Sequence, residues 1–251
     1  MLGIRTIPKH ERLRNVTRKT WIQSLPKNVC YKFLYDRSEH IPEKEIDDGI
    51  SLNSAYQGRA VRFGEKLYKF YSYVQKSDQF RNVKYVIEMD DDVVLCPRQL
   101  FEYLNSKNLT STSYVGWFHK IGNGTKEGKQ KVGANYFSDE NFVLIGRGLM
   151  ERVLSKKYCE LRNEFKCDVL DQHFDNNYGG ISLAKWLSKM DDINVLPMNS
   201  FFSHYVQVHN HTVKPSNLLL FHPAKNPKLI IEKYLNCHKV KIETNYHKYP
   251  K

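Results

Sequence analysis

A chain of 251 residues with 41% apolar content is long enough to bury a sizeable core, and its net charge is 39 − 27 = +12. It has no unbroken apolar run of roughly 18 residues, so no membrane-crossing helix is expected within it, and Met1-Leu2-Gly3-Ile4-Arg5 lacks the apolar segment of a signal peptide. The basic surplus suits polyanions, phosphorylated ligands or acidic membrane surfaces, but the sequence carries no arginine-rich tail, zinc finger or basic–aromatic motif of a nucleic-acid binder.

The elements follow in chain order. Residues 3–21, rich in Arg5, Lys9, Arg12, Arg14, Arg18 and Lys19, are expected to form a helix ending near Trp21, with Trp21 in the core. Val29–Tyr35 reads as a strand, 38–48 as a charged loop, and Ala60–Val74 as a helix with Val61, Leu67, Phe70, Tyr71 and Val74 on one face. Val83–Met89 is short and rich in β-formers, so it reads as a buried strand. Pro97 opens a helix through Leu104. Strands are expected at Ser113–Phe118 and Asn141–Ile145, helices at Leu149–Tyr158 and 181–190, and a last strand at Leu218–Pro223 before a helix through Ile230, Ile231 and Tyr234. Gly122–Val132 has the composition of a loop. Strands alternating with helices argue for an α/β fold with a mostly parallel sheet covered on both faces.

The strand ending at Met89 runs straight into Asp90-Asp91-Asp92. Ligands of open α/β sheets bind at the carboxyl ends of the strands. Three adjacent carboxylates repel one another, and a hard divalent cation with oxygen ligands relieves that repulsion and can hold a diphosphate. Acidic triplets also occur as solvated turns and helix caps. Here Val93-Val94-Leu95 continues apolar, so the triplet interrupts a hydrophobic segment, which favours the metal.

Five cysteines (Cys30, Cys96, Cys159, Cys167, Cys237) show no metal-type spacing. Cys159 and Cys167 are candidates to pair in an oxidising compartment, and the odd total leaves at least one thiol free or intermolecular. Four sequons, at Asn15, Asn108, Asn123 and Asn210, exceed chance and favour a secretory-pathway protein.

Several segments, in order and spacing, resemble the β-1,3-glycosyltransferase family, which includes β-1,3-galactosyltransferases, N-acetylglucosaminyltransferases and Fringe. Arg14-Asn-Val-Thr-Arg18-Lys-Thr20-Trp21 is similar to the family's opening motif. Lys84–Val93 resembles its strand and Asp-Asp-Asp-Val. Asn135–Ser138 through Phe142–Leu144 resembles its Tyr-x-x-Gly-Gly-Gly-Tyr-Val-Leu-Ser segment, and Leu220-Phe221-His222-Pro223 its late Val-His segment.

The resemblance implies a GT-A type, Rossmann-like mostly parallel sheet flanked by helices, a single domain over 1–251, and inverting transfer from a UDP-sugar to a sugar hydroxyl. The expected product is a β-1,3-linked galactose or N-acetylhexosamine on a glycoprotein or glycolipid glycan. Mn²⁺ is the expected cofactor, with Asp90, Asp92 and His222 as ligands. Arg14, Arg18, Arg62, Asp90 and Asp91 are the expected donor-binding residues; guanidinium groups suit phosphate because they bind it bidentately. The resemblance also implies the lumenal face of the Golgi membrane, reached through an N-terminal anchor and stem outside this sequence.

Two departures concern the general base. The family's acidic pair before the helix at 181–190 aligns with Gly179-Gly180, or in a poorer alignment with Asp175-Asn176, while its glycine cluster is replaced by Asp139-Glu140-Asn141. Asp175, Asp139 and Glu140 are therefore the candidate bases. If none serves, the chain is a catalytically impaired UDP-sugar- and metal-binding pseudoenzyme.

Overall fold

The computed structural model describes residues 1–37, 40–53, 63–120, 132, 136–155, 179–188, 190–201 and 218–237. These residues form two compact units.

The first unit draws on Met1–Glu11, Asn28–Asp91 and Asn108–Met198. It holds seven strands: β1 (Leu2–Arg5), β2 (Tyr31–Tyr35), β3 (Gly49–Ser51), β4 (Tyr85–Asp90), β6 (Ser113–Lys120), β7 (Tyr136–Gly146) and β8 (Asn194–Pro197), in the spatial order β3-β2-β1-β4-β7-β6-β8. β1 pairs parallel with β2 and β4, β2 with β3, and β6 with β8. β7 alone among them runs against its neighbours β4 and β6. The sheet is mostly parallel, as its apolar strands require, since each must bury two faces.

Three helices of this unit are α2 (Phe63–Lys76), α4 (Arg147–Leu154) and α5 (Gly179–Leu187). Leu67, Phe70, Tyr71 and Val74 recur at helical spacing along α2, so they share one stripe. That stripe packs with Val86 of β4, Val143 and Ile145 of β7, Leu149, Met150 and Val153 of α4, and Leu183 and Leu187 of α5.

The basic segment expected as one helix divides in two: β1, then α1 (Glu11–Lys19) after a short turn. Leu2 and Ile4 are fully buried, and β1 is bonded on both sides to β2 and β4. Four residues with two apolar side chains are a weak signal, and charged neighbours hide it. The three-residue β3 and the four-residue β8 escape the sequence for the same reason of length. β8 is an edge strand whose last residue, Pro197, lacks a backbone N–H to donate.

The second unit draws on Arg12–Lys27, Asp92–Lys107 and the described residues from Asn199 onward. Its strands are β5 (Val94–Leu95) and β9 (Leu220–Phe221), paired antiparallel, and its helices beyond α1 are α3 (Pro97–Asn105) and α6 (Pro227–Cys237). A two-residue ribbon is too short to persist alone. Here the Cys96 N–H donates to Leu219 O at 2.9 Å, the Leu219 N–H donates to Phe201 O at 3.1 Å, and a disulfide joins Cys96 to Cys237. Cys30 is a free thiol. Cys159 and Cys167, as well as most of Gly122–Val132, lie outside the described residues.

Candidate active site

The carboxyl edge of the sheet is where the chemistry gathers. β1 and β4 run in register, Arg5 opposite Asp90, so both strands deliver polar side chains to the same rim. Arg5 is nearly fully buried. It places Nη2 at 2.8 Å from Asp90 Oδ1 and Nε at 3.5 Å from the buried Glu88. Asp91 turns inward: the Thr6 hydroxyl donates to it at 2.5 Å and His10 Nδ1 lies 2.9 Å away. At the end of β2, buried Asp36 holds Lys66 of α2 at 3.0 Å. Asp90 and Asp91 thus each meet a basic side chain of the same unit.

Asp92 belongs to the second unit. Its Oδ1 stands 3.4 Å from His222 Nε2, both side chains being about one-fifth exposed, and its carbonyl accepts the Ala224 N–H at 2.7 Å. Burial alone would raise the Asp92 pKa, but His222 and then Lys225 outweigh it and hold the carboxyl below its usual value. Asp92 is an anion at neutral pH.

Among the described residues no group of three or more His, Cys, Asp or Glu side chains is gathered as a ready metal cage. The pair Asp92 and His222 nonetheless fits one. A carboxylate oxygen and an imidazole nitrogen suit a divalent ion such as Mn²⁺. Their 3.4 Å separation is a spacing that two ligands of one ion can have, since bonds of about 2.1 Å place neighbouring ligands about 3.0–3.4 Å apart. A pair leaves coordination positions open for oxygens of a bound ligand.

The second feature of the rim is a bulge in β7. Gly116 faces Val143 and Phe118 faces Ser138, so two steps along β6 answer five along β7. Residues 139–142 stand opposite Trp117 alone. Such an insertion interrupts the ladder and re-aims side chains. Close packing fixes it on both sides. A Cβ on Gly116 would lie 2.0 Å from Ser138 Oγ, and one on Gly180 would lie 2.0 Å from Ser138 O. Only glycine lets β6 and the start of α5 approach this closely. The Ser138 N–H donates to the fully buried Tyr114 hydroxyl at 2.9 Å, and burial pushes the Tyr114 pKa well up, so that hydroxyl stays protonated.

The bulge presents Asp139. Its Oδ1 accepts the Asn141 backbone N–H at 2.9 Å, and its Oδ2 lies 2.7 Å from His119 Nε2. Gly180 cannot be replaced by an acidic residue without moving Ser138, so the site where the better alignment puts the family's carboxylate has no room for one. Asp139 stands one residue from Ser138, against which Gly180 packs.

The remaining candidates fall as follows. Arg14 is completely buried on α1, not on a solvated helix face, and Arg18 is half-buried with Nη1 donating to Asn15 Oδ1 at 3.0 Å. Trp21 is core, fully buried. Arg62 and Asp175 lie outside the described residues, as does the side chain of Glu140. Thr6, His10 and His119 were not legible as site residues. No motif marks them, and only strand register brings them to the rim.

The model of the Fringe-like family matches residues 1–166. The chain belongs to the Fringe-like family. The match takes in the aspartate triplet and the β7 bulge, whereas Asp175, Gly180 and His222 lie past its end. No curated protein matches the sequence. Among solved structures, a glycosyltransferase involved in glycosylation of the major capsid of PBCV-1 is similar at TM-score 0.50 and 13% identity, over 94% of this chain and 98% of that one. The galactosyltransferase LgtC, solved with donor and acceptor sugar analogues, has TM-score 0.49 and 13% identity over 97% of each chain. Mouse xyloside xylosyltransferase 1 in its apo form has TM-score 0.46 and 10% identity, over 88% of this chain and 95% of that one. The fold of this Fringe-like chain is GT-A type, and by family it is a glycosyltransferase, acting on a sugar donor and an acceptor.

Proposed function

We propose that this Fringe-like chain moves galactose or an N-acetylhexosamine from a UDP-sugar to a sugar hydroxyl, in β-1,3 linkage and with inversion, on a glycoprotein or glycolipid glycan. The observation that carries the reading is the anionic Asp92 standing 3.4 Å from His222. The pair would hold a divalent cation, Mn²⁺. When bound, the ion neutralises charge that grows on the diphosphate as it leaves. The chain's own residues do the rest. Arg18, half-buried on α1, is the candidate for donor phosphate or uracil contacts, whereas Arg14 is completely buried. Arg5 offsets the charge of Asp90, so a second anion can approach the rim with less repulsion.

Incubation with a panel of UDP-sugars, Mn²⁺ and simple galactosides or N-acetylhexosaminides should yield one extended product, whose linkage NMR reads directly. Donor binding without product for every sugar would favour the second reading, a pseudoenzyme, for which Gly180 in place of an acidic residue is the motivating observation. Absence of any UDP-sugar binding would remove both.

The compartment follows from the same reading: the lumenal side of the Golgi, with membrane attachment through an N-terminal anchor. No helix among the described residues is long and apolar enough to cross a membrane. Support comes from the Cys96–Cys237 disulfide, since such bonds persist in oxidising compartments, and from Asn108, an exposed sequon asparagine between α3 and β6. Glycosidase treatment of the protein from its native cells should increase its gel mobility, and Asn108→Gln should remove part of that shift. An unshifted band together with cytosolic fractionation would argue against the compartment.

A further inference from the structure

An acceptor sugar carries several hydroxyls, and transfer to one of them requires that the sugar be held in a single orientation. Groups that do this are few, rigid and placed beside apolar surface. In the first unit, β4 and β6 both run antiparallel to β7, so they run parallel to each other and end at the same rim. β6 brings His119 there. The bulge of β7, in the same unit, brings Asp139 to meet it.

His119 is one-third exposed, yet its ring has little freedom. It lies against Trp117, at 4.7 Å between centroids, and Phe137, at 5.4 Å and stacked. Both of those rings are buried. His119 Nε2 is 2.7 Å from Asp139 Oδ2. The other oxygen of Asp139 accepts the Asn141 backbone N–H and the Asn141 side-chain amide. The bulge that carries Asp139 is wedged between Gly116 and Gly180. An ionised carboxylate only accepts, so the shared proton sits on Nε2 and Nδ1 keeps its lone pair. Among the described residues none hydrogen-bonds Nδ1. An imidazole pinned in one tautomer, flanked by aromatic rings and one-third in solvent, is a ready hydrogen-bond acceptor for a hydroxyl.

We propose that His119 determines acceptor specificity by accepting, at Nδ1, a hydrogen bond from a non-reacting hydroxyl of the acceptor sugar, and that Asp139 is its positioning residue. The assignment rests on the transfer reading above. It concerns binding alone: neither residue takes the reacting proton, and Asp175 remains a candidate for that task. The substrate class follows from the chemistry. A sugar that lacks this hydroxyl leaves the imidazole nitrogen without a donor, which costs affinity. A sugar acid is disfavoured as well, because its carboxylate meets the negative charge of Asp139. The acceptor that suits the bulge is therefore a neutral sugar.

The test uses the full chain with Mn²⁺, a UDP-sugar and the simple glycosides of the panel, together with their monodeoxy and uronate analogues. His119→Phe keeps a ring against Trp117 and Phe137 and removes both nitrogens. Asp139→Asn offers an amide N–H to Nε2 and so reverses the tautomer. Each variant should melt like the parent and raise acceptor KM by about 5-fold or more, with kcat within about 2-fold. One monodeoxy analogue should show the same loss with the parent and no further loss with either variant, which a merely structural role would not produce. Asp139→Asn should also narrow the preference for a neutral glycoside over its uronate. Saturation-transfer NMR of glycoside binding, which needs no turnover, reads the same ratios. Acceptor KM and binding within about 2-fold of the parent in His119→Phe would overturn the assignment. So would a parent that binds all the analogues equally or binds no glycoside. Glycoside binding that depends on His119 in a parent that transfers no sugar would overturn the transfer reading and leave the subsite standing, so the two failures are distinguishable.

Discussion

On the proposed function, replacing Asp92 with alanine is expected to abolish a Mn²⁺-dependent part of UDP binding. The loss is expected to exceed about 100-fold, because disturbing even a residue that merely orients a metal ligand costs about 10–100-fold. The reason lies in how the triplet is divided. Arg5 holds Asp90 at 2.8 Å, and Thr6 and His10 hold Asp91. Asp92 faces His222 at a longer 3.4 Å, and is kept ionised by His222 and Lys225. It is the carboxylate least occupied by the protein's own hydrogen bonds. Stability should fall modestly, since His222 and Lys225 favour the ionised carboxyl in the folded chain. Calorimetric titration of UDP into parent and Asp92→Ala, each with and without Mn²⁺, reads the result. Equal affinity in all four combinations would sink the cation site.

The Cys96→Ser, Cys237→Ser double variant unfolds at markedly lower denaturant. The disulfide spans 141 residues of sequence, and closing a loop of that size restricts the unfolded chain by about 5 kcal/mol in the chain-entropy account. Measured losses for native disulfides run at about 2–5 kcal/mol. The upper half of that range is expected here, because the β5–β9 ribbon has two residues on each side and offers little that could replace the bond. Urea titration followed by hydrogen exchange at α6 gives the size and the location of the effect. A loss below about 1 kcal/mol would mean that the packing of Leu95, Leu100, Ile230 and the ribbon suffices without the bond.

The α/β class and the rim were legible in the sequence because they rest on long-range regularities of composition. The β-former-rich run Val83–Met89 reads as an interior strand, and the stripe Leu67, Phe70, Tyr71, Val74 as a helix packed on the core. What stayed hidden depends on register. Arg5 and Asp90 are neighbours only because β1 and β4 pair in parallel with one alignment and not the next. His119 and Asp139 meet only because β7 is bulged, and no residue type announces a bulge. Asp139-Glu140-Asn141 stood out in the sequence as a departure from a family pattern, and the structure shows what it departs into. Cys96–Cys237 was not anticipated either: 141 residues separate the two in sequence, and only the fold brings them together.

The direction of β7 has a consequence for how such a site can diversify. A strand running against its neighbours enters the sheet from the rim that its neighbours leave by, so its first residues reach the substrate side while still bonded into the ladder. Side chains there alternate between faces with a period of two. Adding or deleting one residue between Ser138 and Phe142 would exchange which of them faces the acceptor while the ladder beyond Val143 stayed in place. Acceptor preference can then change in discrete steps of backbone length, as a frameshift changes a reading frame, with the buried sheet untouched. Length variants in this segment are where altered acceptor choice without loss of folding should be sought.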